Sequence, residues 1–108
     1  MKKPKIVCLC GSTKFYKEFM VANFNETMSG KIVLSVGFFP HSPEQVHAEH
    51  IGITDIDKIK LDELHKRKID ISDEVFVLNV GGYIGTSTKS EIEYANSIGC
   101  PVKYLEKL

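Results

Sequence analysis

Short β-branched runs alternate along this chain with longer stretches whose apolar residues recur every three or four positions, and glycines mark the joins. Residues 5–10, KIVCLC, read as a buried parallel strand ending in the turn Gly11-Ser12-Thr13, where Ser12 or Thr13 can cap a helix. That helix runs through FYKEFMVANFNETM to a stop at Gly30. Phe15, Phe19 and Ala22 form one stripe on it, with Tyr16, Met20, Phe24 and Met28 on a second stripe beside it. So wide an apolar face is more than one sheet covers, and it predicts a homo-oligomer. Residues 31–37 form a second strand. Residues 38–54, FFPHSPEQVHAEHIGIT, carry two prolines and three histidines with little periodicity, as expected of a functional or mobile connection. Residues 55–72 set Ile59, Leu61, Leu64, Ile69 and Ile71 among charges, the pattern of an amphipathic helix. The most hydrophobic strand, 74–80, precedes GGYIGTSTKSEIE (81–93), and a last helix stopped by Gly99 and Pro101 leads into the short strand VKYL.

This order of elements predicts an α/β fold, a Rossmann-like (flavodoxin-like) three-layer sandwich on a four-stranded parallel sheet of order 2-1-3-4. Ligands in such sheets bind beyond the carboxyl ends of the strands where the order reverses, here between the first and third. CGSTKF and GGYIGTSTKSE flank that crevice.

At 108 residues and 43% hydrophobic content the chain builds one core and reads as a single domain. Its 14 basic and 14 acidic residues balance, so the totals carry no footprint for DNA or RNA, and a small-molecule ligand is expected instead. The three cysteines make no disulfide framework. Cys8 and Cys10 are read as pointing to opposite faces of the first strand and as lacking a metal-ligand spacing. Reduced thiols fit a cytoplasmic protein. The apolar run at the N-terminus is too short for a signal sequence, and no segment is long enough to span a membrane.

Both loops have chemistry to offer. Gly11, Ser12 and Thr13 join a side-chain-free turn to two hydroxyls at a helix N-terminus, a seat for phosphate or carboxylate to which Lys14 adds charge. Gly81, Gly82 and Gly85 let the backbone approach a ligand closely. Thr88 and Glu91 match a T-x-x-E capping box, which would put Glu91 in the first helical turn, where the dipole keeps a carboxylate ionised. His41, His47 and His50, with Glu44 and Glu49, match no compact zinc spacing. They read better as part of a lid, His41 being the best placed to touch a ligand.

Cys10-Gly11-Ser12-Thr13-Lys14 and Glu91-Ile92-Glu93-Tyr94-Ala95 resemble the nucleoside 2-deoxyribosyltransferase-like superfamily, including its deoxynucleoside 5'-monophosphate N-glycosidase branch. Gly81-Gly82-Tyr83-Ile84-Gly85-Thr86 followed by Glu91 is also similar to the loop of Lonely Guy type phosphoribohydrolases, though longer and without its proline. The resemblance implies that Glu91 attacks C1' of a (deoxy)ribose and that the glycosyl-enzyme is resolved by water or a second base. It implies that Gly11 to Lys14, Ser87 and Thr88 hold a 5'-phosphate or the sugar, with Tyr83 beside them. The family's proton-donating aspartate falls on or near His65, and Asp62 is the nearest carboxylate one turn earlier; both are candidates. Cys8 stands where the family has a tyrosine, for which Tyr83 or Tyr16 can substitute. No cofactor is expected. A nucleotide-binding sensor of the same fold is the alternative from another class, and a flavodoxin-like carrier is a distant third for want of aromatic residues to sandwich a flavin.

Overall fold

The computed structural model of the chain describes residues 2–37 and 55–108. Along it run β1 (Ile6–Cys10), α1 (Tyr16–Met28), β2 (Ile32–Leu34), α2 (Asp55–Asp70), β3 (Glu74–Val77), α3 (Thr86–Ser97) and β4 (Val102–Tyr104). The strands pair in parallel in the order β2-β1-β3-β4, as the alternation of β-branched runs and helical stretches predicts.

β1 is bonded along both edges, through Ile6 to Ile32 on β2 and Val7 to Glu74 on β3. It is covered on both faces, which is why it reads as a continuous apolar run. Val7 and Leu9 pack with Phe19 and Ala22 of α1 and with Leu78. Cys8 and Cys10 pack on the other face with Ile69 of α2, Ala95 of α3, Val75 and Val77. The two cysteines therefore share a face, contrary to the expectation from the sequence, because residues two apart on a strand point the same way. Burying each large apolar side chain contributes about 1.5–3 kcal/mol, so these two clusters hold the three layers together.

The helices bury less than their sequences offer. Phe19 and Ala22 are the buried residues of α1, while Met20, Val21, Phe24 and Met28 are 60–71% exposed. In α2 the residues that turn inward are His65 and Ile69, one turn apart. Ile59, Leu61, Leu64 and Ile71, which the pattern assigned to the apolar face, are exposed. α2 thus turns a stripe containing a histidine inward, with Ile69 packed against β1 and β3.

The amino ends of the strands are closed by polar contacts. Asp73 accepts from the Ile6 amide through Oδ2 at 2.7 Å, and its own N–H donates to the Ile6 carbonyl. Lys31 bridges to Glu74 at 2.8 Å and Lys103 to Glu26 at 2.7 Å. Asp73 thus lies at the end of the sheet away from the crevice. Among the described residues, no helix is long and apolar enough to cross a membrane.

Candidate functional site

Where β1 ends, the chain turns hard against β3. A Cβ on Gly11 would lie 3.2 Å from the Leu78 carbonyl oxygen and 3.3 Å from Leu78 Cβ, so a side chain would push the turn off the sheet. The Ser12 carbonyl accepts from the Phe15 amide at 3.0 Å, and Ser12 Oγ accepts from the Lys14 amide at 3.4 Å. Ser12 thereby caps a 3-10 turn, Thr13–Phe15, that leads into α1. On the β3 side a second 3-10 turn, Val80–Gly82, relies on positive φ at Gly81 (63°) and Gly82 (80°), where a side chain would be strained.

α3 then starts at Thr86 with Gly85 as its N-cap, and no side chain bonds that end. The capping box expected of Thr88 and Glu91 is therefore not formed. Thr88 is the third residue of the helix and Glu91 the sixth, so Glu91 is beyond the reach of the cap and of the first-turn dipole. Six consecutive residues from Gly85 to Ser90 are glycine, hydroxyl or lysine, and the sequence offers several equivalent caps.

These turns and α2 enclose a cleft of about 570 Å³ at the carboxyl ends of β1 and β3. Gly11, Ser12 and Thr13 form one wall, Asp62 and His65 of α2 a second, and Tyr83, Gly85, Ser87 and Thr88 a third. Ser87 Oγ donates to Asp62 Oδ2 at 3.3 Å, joining two of those walls. Lys58, Leu61, Leu64 and Lys68 of α2, Val36 and Gly37 after β2, and Thr86 also line it and were not anticipated. Lys58, Leu61, Asp62, Leu64, His65 and Lys68 follow a helical spacing that places them on one side of α2, so part of the apolar stripe expected to pack on the sheet faces the cleft instead.

Four expected site residues are placed differently. Lys14 is absent from the cleft wall; its ammonium sits 3.7 Å from the centre of the Tyr83 ring, which also meets Phe15 edge-on at 5.9 Å. The Gly81 amide donates to Glu106 Oε2 at 2.6 Å, and Gly82 is exposed. Behind them Asn79, fully buried, donates to the Glu106 carbonyl and accepts from the Glu106 amide, each at 2.9 Å. Glu91 is absent from the wall as well, being only 7% exposed. His41, Glu44, His47, Glu49 and His50, and with them the lid, fall outside the described residues.

Glu91 lies in a polar cluster at the edge of the cleft. Its Oε1 is 4.0 Å from His65 Nε2, and the same nitrogen is 3.5 Å from Cys8 Sγ, 3.4 Å from Cys10 Sγ and 3.1 Å from the Leu9 carbonyl oxygen. Burial raises the Glu91 carboxyl above the ordinary range, with His65 and a hydrogen bond from Cys10 opposing it. The ionised, dipole-stabilised carboxylate expected from the sequence is thus replaced by one that holds its proton more tightly. Burial works to lower the His65 value, but hydrogen bonding to Cys8 and the charges of Cys8 and Glu91 raise it. A hydrogen bond from Cys10 brings the Cys8 thiol down to about 5 against the effect of burial, and His65 adds to the lowering. Cys10 is pushed up correspondingly by its hydrogen bond to Cys8 and by burial, so the two thiols titrate as a pair.

No protein-family profile, no curated protein and no solved structure matches this chain.

Proposed function

We propose that this protein binds a nucleoside or nucleoside 5'-monophosphate in the cleft and cleaves or transfers at its N-glycosidic bond, in the manner of the nucleoside 2-deoxyribosyltransferase-like enzymes its motifs resemble. The observation that carries the reading is the meeting of Gly11 to Thr13, the Asp62–His65 face and the start of α3 on one cleft at the switch point of the sheet. The uncapped N-terminus of α3, with Ser87 and Thr88, suits an anionic or hydroxyl-rich group, and Lys58 and Lys68 add positive charge. In the reaction a Glu91 oxygen bonds to C1', the C1'–N bond breaks, and its electrons leave with the base, which takes a proton from Asp62 or His65. Water or a second base then attacks C1' and frees Glu91. Because Glu91 is buried outside the lining and 4.0 Å from the wall residue His65, attack requires its carboxylate to turn into the cleft.

That same burial of Glu91 favours a second reading, a module that binds the nucleotide without cleaving it. Incubation with ribo- and deoxyribonucleosides and their 5'-monophosphates, with and without free bases, separates the two when base release and exchange are followed by chromatography. Turnover that vanishes in Glu91→Ala supports the enzyme. Binding of one compound with no turnover of any supports the module, and neither binding nor turnover rejects both.

The reading extends to a homo-oligomer, supported by the exposed Met20, Val21, Phe24 and Met28 on one helix. Size-exclusion chromatography with light scattering tests it, and a monomer at high micromolar concentration would count against it.

A further inference from the structure

We propose that Cys8, Cys10, His65 and Glu91 form a tetrahedral site for one divalent metal ion, zinc by ligand preference. Two separate elements bring three of these side chains together, β1 both sulfurs and α2 the imidazole, while the Glu91 carboxylate of α3 stands just outside that group, 4.0 Å from His65 Nε2. The two Sγ atoms and a ring nitrogen of His65 lie within 4.8 Å of one another. Bond lengths of about 2.3 Å to sulfur and about 2.05 Å to nitrogen require a tetrahedral S···N edge of about 3.6 Å. The observed edges from His65 Nε2 are 3.5 and 3.4 Å. A carboxylate oxygen on the same ion would lie about 3.4 Å from that nitrogen. Glu91 Oε1, at 4.0 Å from that nitrogen and outside the group formed by the other three, must turn towards the sulfurs to complete the coordination.

Hydrogen bonding alone uses this arrangement poorly. His65 Nε2 is within reach of both sulfurs and of the Leu9 carbonyl, yet one nitrogen with one proton or one lone pair serves one of the three at a time. An ion engages the nitrogen, both sulfurs and the carboxylate together. It exchanges the bond to Leu9 for a metal bond through a turn of the ring, and the displaced protons pass to solvent. Two thiolates, one carboxylate and a dication leave a single negative charge. Lys68, near enough to act electrostatically on both Cys8 and His65, is placed to balance it. Cys8 and Cys10 are fully buried, whereas His65 also lines the cleft, so the ion has a route in. The ligand set of two thiolates with nitrogen and oxygen excludes magnesium and calcium, which take oxygen alone. This inference does not rest on the glycosidic reading, although an ion would hold Glu91 away from C1'.

The full chain, stripped with a chelator and reloaded with zinc or cobalt(II), provides the test. One metal per chain by elemental analysis is expected, with the thiolate-to-cobalt charge-transfer absorption of a tetrahedral sulfur-ligated site. Cys8→Ser, Cys10→Ser and His65→Gln should each weaken zinc binding at least about tenfold, while Cys100→Ser should leave it unchanged. No bound metal above background, or a cobalt spectrum identical in Cys8→Ser, Cys10→Ser and wild type, would overturn the site and leave the cluster as a thiolate–imidazole pair. If the serine variants fail to fold, X-ray absorption of the zinc-loaded wild type decides. Two sulfur neighbours at about 2.3 Å support the site, and oxygen and nitrogen neighbours alone reject it.

Discussion

Gly11→Ala places a methyl group where the β1–α1 turn crosses the end of β3. The new Cβ would lie 3.2 Å from the Leu78 carbonyl oxygen, 3.3 Å from Leu78 Cβ and 3.4 Å from Phe19 Cε2. None of these is the free end of a flexible chain. Leu78 and Phe19 are fully buried, and the Leu78 amide donates to the Cys10 carbonyl at 2.8 Å, so displacing Leu78 would also strain the contact that seats the turn. Overpacking of this kind costs about 1–3 kcal/mol. Removing a glycine restricts the unfolded chain and returns about 0.4–1 kcal/mol. The difference of these ranges runs from about 0 to about 2.6 kcal/mol and centres on a destabilisation of roughly 1.3 kcal/mol, a fall in Tm of roughly 6 °C for a domain of this size. Gly85→Ala is the matched control, since its Cβ would meet nothing nearer than the Tyr83 hydroxyl at 3.4 Å. Its φ of −78° suits any residue, so the change should stay within about 1 kcal/mol, the cost of replacing a glycine N-cap. Urea and thermal unfolding followed by circular dichroism measure both. If Gly11→Ala equals its control or the wild type, the turn is not pinned against Leu78, and the first wall of the cleft is softer than argued.

Three other changes probe other parts of the molecule. Because burial raises the Glu91 carboxyl, the unfolded chain ionises first, and this residue contributes stability that is lost as pH rises from about 4.5 through its higher folded value. The Tm of Glu91→Gln relative to wild type should therefore climb with pH across that window; a constant difference would show that the carboxyl is not perturbed. Glu74 behaves oppositely: its hydrogen bond from Lys31 holds it below the ordinary value against burial, so its contribution is present above about 4.5 and lost as pH falls. Lys31→Ala should cost about 0.5–1 kcal/mol at neutral pH and move the acid-unfolding midpoint upward, and an unmoved midpoint would dismiss the pair as a contributor. Asn79→Ala removes both bonds to Glu106 and should cost about 1–3 kcal/mol in urea unfolding; a loss under about 0.5 kcal/mol would mean that the segment after β4 is held by other contacts.

Much of the fold is legible because its signals are local. The β-branched runs and the glycines at 11, 30 and 99 mark strand ends and helix stops without reference to anything distant. The two glycine-bearing walls of the cleft follow from the same signals combined with the strand order. Other features depend on packing. The rotation of α2 buries His65 and Ile69 and leaves Leu64 half exposed on the cleft wall, an outcome that hydrophobicity alone does not single out. The beginning of α3 is ambiguous among several hydroxyl-bearing caps, and the error of three residues in placing it turned a buried Glu91 into an apparent capping residue. The pairing of Cys8 with Cys10 was readable from the twofold period of a strand. Its partners His65 and Glu91 lie far along the chain and meet it only in the folded state.

The tie between Gly81 and Glu106 gives the glycine loop a share in the fate of the segment that follows β4. Irregular segments beyond a strand open more cheaply than sheet cores, and they do so without global unfolding. Each such excursion here would release the Gly81 amide together with both bonds of Asn79. The glycine loop that leads into Tyr83 should therefore open together with that segment. Amide hydrogen exchange at Gly81 would report the rate of that opening, and shortening the chain before Glu106 would quicken it while leaving the walls of the cleft in place.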